Sequence, residues 1–98
     1  MIIVTGAILA RKETFDAALK LSRDHVERSR AEDGCISHDV HIDTENPLRL
    51  FFFERWRDEA ALRAHFAVPE SRDFVRALKE LIVETSGTQI YKTEKIER

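Results

Sequence analysis

The strongest constraint on the fold is the segment LRLFFFERW, residues 48–56. Successive side chains of a β-strand point to opposite faces, so Leu50 and Phe52 share one face and the phenylalanines that alternate with them share the other. Both faces of this strand are therefore apolar. A second segment, IIVTGAILA at residues 2–10, is also apolar at nearly every position. We expect both segments to be central strands of a sheet, with both faces covered.

Two amphipathic helices and two half-polar strands are predicted from the rest of the chain. Helical spacing of apolar residues predicts a first helix from about Lys12 to Ala31. A second helix is predicted to begin after Asp58, to be interrupted at Pro69, and to continue from Ser71 to about Val83. The segments CISHDVHID (35–43) and TQIYKTEKI (88–96) are predicted strands, with Gly87 marking the end of the helical region.

The predicted order of elements is β-α-β-β-α-β, and the two apolar strands are the first and the third. This order fits an α+β ferredoxin-like fold, in which an antiparallel sheet has the strand order 4-1-3-2 and the helices lie on one face. A chain of 98 residues has the size of a single domain, so we predict one domain over residues 1–98.

One face of this predicted sheet is left without a cover. It carries large apolar side chains from the third strand, and leaving two of them in water forgoes about 3–6 kcal/mol, which is comparable to the stability of a whole domain. The simplest cover is a second copy of the chain, related by a two-fold axis. We therefore predict a homodimer.

Composition argues against several kinds of partner and location. The net charge is −2 at pH 7, without the surplus of Lys and Arg that nucleic-acid binding needs. An RNA-recognition domain has the same element order, but it would place a glycine within RLFFFER and an aromatic residue on the first strand. No apolar run approaches the roughly 18–20 residues that span a membrane, and the N-terminus does not resemble a signal peptide. With one unpaired cysteine, Cys35, these features predict a cytoplasmic protein.

No sequence motif indicates a metal or cofactor. The four histidines are scattered along the chain, and no helical His pair, Cys-x-x-Cys motif or Gly-rich phosphate loop is present. We therefore expect a protein without a bound metal or cofactor.

Particular residues occur in an order that is typical of one family. DGCISHDVHID (33–43) is followed by NPLRLFFFERWRDEAALRAHF (46–66) and then by Pro69 and Phe74. This run resembles the antibiotic biosynthesis monooxygenase family, whose members have a Gly-Cys strand, an aromatic strand ending in E-x-W, and an A-L-x-x-H helix. The similarity covers almost the whole chain.

The resemblance implies a dimeric α+β barrel, with a small hydrophobic pocket between the helices and the sheet of each subunit. Similar members include cofactor-free oxygenases of quinols or anthrone-like aromatics, heme-degrading enzymes, and isomerases of a phosphorylated signal sugar. We expect a cofactor-independent, quinol-monooxygenase-like enzyme that uses molecular oxygen and a small aromatic substrate. A non-catalytic dimeric protein that binds a small ligand, or an isomerase of the same family, is the alternative.

Two departures from the family pattern narrow these expectations. Many members have a second histidine directly after the proline, where this chain has Glu70, so a two-histidine relay is not expected. The heme-degrading branch uses an Asn on the first strand and a Trp on the second helix. Thr5, Gly6 and His65 occupy those regions here, which argues against heme degradation.

A cofactor-free oxygenase needs a base that removes a proton from its substrate, and histidine is best matched to that transfer near neutral pH. His65 matches the histidine of the A-L-x-x-H helix, and its position three residues after Leu62 puts it on the inward side. His38 shares a predicted strand face with Ile36, Val40 and Ile42. Both are candidate catalytic residues, although a satisfied core histidine or a helix-capping role is the structural alternative.

Other polar residues are expected to have structural roles. His41 lies on the polar face of its strand, and His25 lies among charged residues of the first helix, where solvent exposure is expected. Glu54 shares a face with Leu50 and Phe52, and a buried acid needs a partner, so an ion pair in the core or at the dimer interface is expected.

Four aromatic residues are predicted to contact an aromatic substrate. They are Trp56, Phe66, Phe74 and Tyr91. Plain packing in the core is the alternative for Trp56 and Tyr91.

Overall fold

The computed structural model describes residues 1–98 and consists of a four-stranded antiparallel sheet and three helices. The elements are β1 (Ile2–Ala10), α1 (Phe15–Ser29), β2 (Cys35–Ile42), β3 (Arg49–Trp56), α2 (Glu59–Ala67), α3 (Pro69–Lys79) and β4 (Ile82–Lys92). The order of strands across the sheet is β2-β3-β1-β4, which confirms the predicted ferredoxin-like arrangement with β1 and β3 at the centre. None of the helices is long and apolar enough to span a membrane.

The region after α2 differs from the sequence-based prediction. Asp58 caps α2 as predicted, because its Oδ1 accepts a hydrogen bond from the Ala61 N–H at 2.9 Å. Pro69 does not merely interrupt the helix but occupies the first turn of α3, where its missing N–H costs nothing. The helix ends at Lys79 and β4 begins at Ile82, which pairs with Ala10. Ile82 and Val83, at the end of the predicted helix, therefore belong to the strand.

Gly87 lies inside β4 rather than at the end of a helical region. Its φ of 72° is in the left-handed range that glycine adopts readily. The pairing of β4 with β1 shifts register nearby, between Gly6 and Ile8. The sequence signal of this glycine is thus explained by an irregular strand and not by a helix terminus.

The two faces of β3 differ as the alternating pattern requires. Leu50 and Phe52 are buried beneath the helices, together with Glu54 and Trp56 on the same face. Phe51 points to the opposite, open face, where its side chain is 39% exposed. The register of the sheet places further residues on this open face. These are Ile3, Leu9, Phe53 and Tyr91.

An irregularity at the start of β2 determines which of its residues face the helices. The register shifts between Cys35 and Ser37, so that Cys35 pairs with Trp56 and His38 with Glu54 on the helix-covered face. Ile36, which was predicted to share the buried face with His38, lies at this shift and is half exposed. The bulge thus keeps both Cys35 and His38 under the helices.

The helices cover the sheet unevenly. Helix α1 packs against β2, α2 packs against β3, and α3 packs against the other two helices. The part of the sheet formed by β1 and β4 is less covered, and a cavity lies there between the sheet and α3.

Candidate functional site

The cavity between the sheet and helices α2 and α3 has a volume of about 560 Å³ and is open to solvent. Most of its wall is apolar, and its aromatic side chains are Phe52, Phe66 and Phe74. One end is polar, where His25, His65 and Glu54 contribute to the wall. Apolar walls with a few convergent polar groups are typical of small-molecule sites.

Three histidines from three different elements meet at this polar end. The ring centres of His25 (α1) and His38 (β2) are 5.2 Å apart, and each is 5.4 Å from the ring centre of His65 (α2). The residues are 6%, 1% and 3% exposed, respectively. Potential metal-ligating nitrogens of the three rings lie within 4.8 Å of one another. The histidines are scattered along the sequence, but three of them lie close together in the folded chain.

His65 is oriented by a carboxylate. Its Nδ1 lies 2.8 Å from Oε1 of Glu32, in the loop between α1 and β2. Because a carboxylate can only accept a hydrogen bond, Nδ1–H of His65 is the donor, and Nε2 makes no hydrogen bond to Glu32. Nε2 lies 4.0 Å from Oε1 of Glu54, and the ring packs against Trp56 with centres 4.6 Å apart. An orienting acid on one nitrogen leaves the other free to take a proton.

His25 is oriented by a cation. Arg28 donates from Nη2 to Nδ1 of His25 at 2.7 Å and to Oγ of Ser71 at 3.2 Å. The imidazole stacks on Phe74, with ring centres 4.0 Å apart and planes within 4° of parallel. Burial, followed by the neighbouring His38, lowers the pKa of His25 from 6.5 to about 3. The ring is therefore uncharged at neutral pH and forms part of a flat cavity wall.

His38 lies behind the cavity wall, next to Glu54, which is part of that wall. Neither ring nitrogen of His38 has a hydrogen-bond partner, and its Nε2 is 3.3 Å from Oε1 of Glu54. Burial, followed by the neighbouring His65, lowers the pKa of His38 to about 3. Glu54 accepts a hydrogen bond from Nε1–H of Trp56 at 2.9 Å, and burial raises the pKa of its carboxyl. Desolvation thus disfavours the charged form of both groups.

The residues predicted from the sequence occupy different positions relative to the cavity. Phe66, Phe74 and His65 line it. Trp56 is fully buried against His65, and His38 lies in the layer behind the wall. Tyr91 pairs with Ile3 on the open face of the sheet, away from the cavity.

Two expectations about polar residues are wrong. His25 was expected to be solvated, but it shares a buried stripe of α1 with the small residues Ala18, Ser22 and Ser29. Their spacing of four, three and four residues is the signal that could have identified it. Glu54, for which an ion pair was expected, instead accepts a hydrogen bond from Trp56 and lies 3.3 Å and 4.0 Å from ring nitrogens of His38 and His65.

Comparison with known proteins agrees with this architecture. The sequence model of the family described as "Antibiotic biosynthesis monooxygenase" matches residues 1–77. The chain is 35% identical over 91 residues to "Uncharacterized protein sll1783" of Synechocystis, covering 93% of this chain but 62% of that relative. It is 28% identical to "Putative monooxygenase YcnE" of Bacillus subtilis, covering 96% and 97% of the two chains.

A solved structure is also similar over the whole fold. It is described as a "putative antibiotic biosynthesis monooxygenase" from Deinococcus radiodurans, with a TM-score of 0.94 and 25% identity. The similarity covers 100% of this chain and 97% of the other.

We predict that stability falls as pH is lowered from 7 towards 5. Because the pKa values of His25 and His38 fall from 6.5 to about 3 on folding, the unfolded chain binds more protons between these values. The free energy of unfolding is unaffected above the unfolded pKa. Below it, the free energy of unfolding decreases as the pH falls, by up to about 1.4 kcal/mol per pH unit for each histidine. The raised pKa of Glu54 acts in the opposite direction. Urea unfolding at several pH values measures the slope.

The test variant is His38→Phe, which should make the free energy of unfolding less dependent on pH. The matched control is His41→Asn, at an exposed position, which should leave that dependence unchanged. A free energy of unfolding that does not change between pH 7 and 5 would show that the two histidines are not held uncharged.

Proposed function

The chain belongs to the antibiotic biosynthesis monooxygenase family, and from that membership and the geometry of the cavity we propose that it is a cofactor-independent monooxygenase of a small quinol- or anthrone-like aromatic molecule. The observation that carries the proposal is the pair formed by Glu32 and His65 at the polar end of an apolar cavity. It supplies an oriented base next to a site that suits a flat, apolar substrate.

His65 is the proposed base. Its Nε2 takes a proton from the phenol or the activated carbon of the substrate, and Glu32 holds the proton on Nδ1. The resulting anion transfers an electron to molecular oxygen, and the two radicals combine to a peroxide. For an anthrone-like CH2 group, loss of water from the peroxide leaves a carbonyl, so that one oxygen atom enters the product and the other enters water. The substrate supplies all of the electrons.

The cavity wall supports an aromatic substrate. The ring of His25 is held parallel to Phe74, and Phe52 meets Phe74 edge-on with ring centres 6.2 Å apart. Phe66 closes the side next to His65. Such faces favour planar ligands through stacking and burial of apolar area. His38, the second candidate base, is separated from the cavity by this wall layer, which favours His65.

The proposal includes a homodimer in which the open faces of two sheets pack together. Apolar side chains of three adjacent strands, including Ile3, Phe51 and Tyr91, form this face. Their burial by a second copy would complete the α+β barrel that the family resemblance implies. The unpaired Cys35 fits the cytoplasmic location that is also part of the proposal.

Replacement of His65 tests the catalytic proposal. We expect wild-type protein to consume oxygen with at least one member of a panel of hydroquinones and anthrones, and His65→Ala to lower kcat by about 10²–10⁴-fold. Glu32→Gln should also lower kcat, because an amide can donate to Nδ1 and so favour the other tautomer. Arg63→Ala, on an exposed position of the same helix, is the control and should leave kcat unchanged.

Two outcomes would contradict this assignment. If His65→Ala kept full turnover while His38→Ala lost it, the base would lie on β2. If the wild-type protein bound the panel saturably but consumed no oxygen, the chain would be a ligand-binding member of the family.

The dimer is tested by replacing an apolar residue of the open face. Light scattering at micromolar concentration should give twice the mass of the 11.4 kDa chain. Phe51→Asp should dissociate or aggregate the protein, because a charge would be buried between the sheets. Ile96→Asp changes a residue that is 86% exposed and should have no such effect. A monomeric wild-type protein would refute the dimer.

A further inference from the structure

Unsatisfied buried polar atoms cluster beneath the polar end of the cavity. Both ring nitrogens of His38 and Oε2 of Glu32 are buried without a hydrogen-bond partner. Buried polar groups nearly always have a partner, so orphaned ones need an explanation. His38 is 1% exposed, and its Nε2 lies 3.3 Å from Oε1 of Glu54 without forming a hydrogen bond to it.

The three imidazoles have the mutual spacing of a metal centre. Nitrogens that are about 2.1 Å from a tetrahedral ion place their ring centres roughly 5.2 Å apart. The ring centres of His25, His38 and His65 are 5.2, 5.4 and 5.4 Å apart. The potential ligating nitrogens lie within 4.8 Å of one another, compared with about 3.4 Å around a tetrahedral ion, so the rings would have to turn towards a common point.

An acidic fourth donor is close to two of these rings. Oε1 of Glu54 lies 3.3 Å from Nε2 of His38 and 4.0 Å from Nε2 of His65. The surrounding contacts are also those of a metal site, because Glu32 accepts from the far nitrogen of His65 and Trp56 donates to Glu54. Carboxylates behind ligating histidines fix their orientation and increase their basicity.

His25 could bind an ion only after its proton and its hydrogen bond to Arg28 had changed. Arg28 donates to its Nδ1, which places the proton of the uncharged ring on Nε2, the nitrogen that would have to bind the ion. Binding therefore requires the proton to move to Nδ1 and the guanidinium to withdraw. The same Nη2 of Arg28 also donates to Oγ of Ser71.

We propose that His25, His38, His65 and Glu54 bind one divalent transition-metal ion of the zinc and cobalt class. Three imidazoles and one carboxylate form a donor set that suits these ions and not Mg²⁺. The ion would enter from the cavity, whose wall includes three of the four ligands. This binding goes beyond the proposed oxygenase reaction, and because it occupies Nε2 of His65, it should inhibit that reaction.

Cobalt titration of chelator-treated full-length protein tests the site without any substrate. We expect one Co²⁺ per chain, with visible d–d absorption typical of four- or five-coordinate cobalt, displacement of Co²⁺ by Zn²⁺, and no competition from Mg²⁺. His38→Phe and His25→Phe keep an aromatic ring in the core and should each weaken binding by about 100-fold or more. His41→Asn, which removes the exposed histidine, should leave binding unchanged.

Circular dichroism shows whether each variant is folded. If His38→Phe does not fold, His25→Phe tests whether the buried histidines bind the metal. Absence of the d–d absorption, or equal cobalt affinity in the wild type and both buried-histidine variants, would overturn the proposal. Loss of binding in His41→Asn would also overturn it. Because cobalt binding is read directly, a failure of oxygen uptake would not affect this result, and a failure of metal binding would leave the oxygenase proposal intact.

Discussion

The hydrogen bond from His65 to Glu32 is the interaction on which the site depends. It connects α2 to the loop that joins α1 to β2, and it determines which imidazole nitrogen is available on the cavity side. Because the ring is almost completely buried, its nitrogen must be satisfied within the protein, and the carboxylate does so at 2.8 Å. The position of Trp56 against the same ring then fixes its tilt.

The strand β3 links this site to the rest of the architecture. Glu54 and Trp56 extend the helix-covered face that begins with Leu50 and Phe52, so the apolar core continues directly into the polar cluster. The alternate residues of the same strand form the open face that we propose to be covered by a second copy. One alternating pattern therefore specifies both the layer that holds the histidines and the open face for which we propose a partner.

The order of strands, the two apolar strands and the cavity-lining positions of His65, Phe66 and Phe74 could be predicted from periodicity and motif alone. The position of His25 could not, because the stripe of α1 that it shares with Ala18 and Ser22 consists of small residues and gives little apolar signal. The meeting of three histidines depends on tertiary packing and on the register shift in β2, neither of which local spacing encodes. The boundary between α3 and β4 was also ambiguous, because Leu81 and Ile82 fit either period.

Nitrogen NMR of the imidazole rings identifies which nitrogen of each ring carries a proton. At pH 7 we expect a proton on Nδ1 of His65, which donates to Glu32, and none on Nδ1 of His25, which accepts from Arg28. When the pH is lowered to about 5, the rings of His25 and His38 should remain uncharged, in line with pKa values of about 3. An unprotonated Nδ1 on His65, or protonation of His25 above about pH 5, would contradict these expectations.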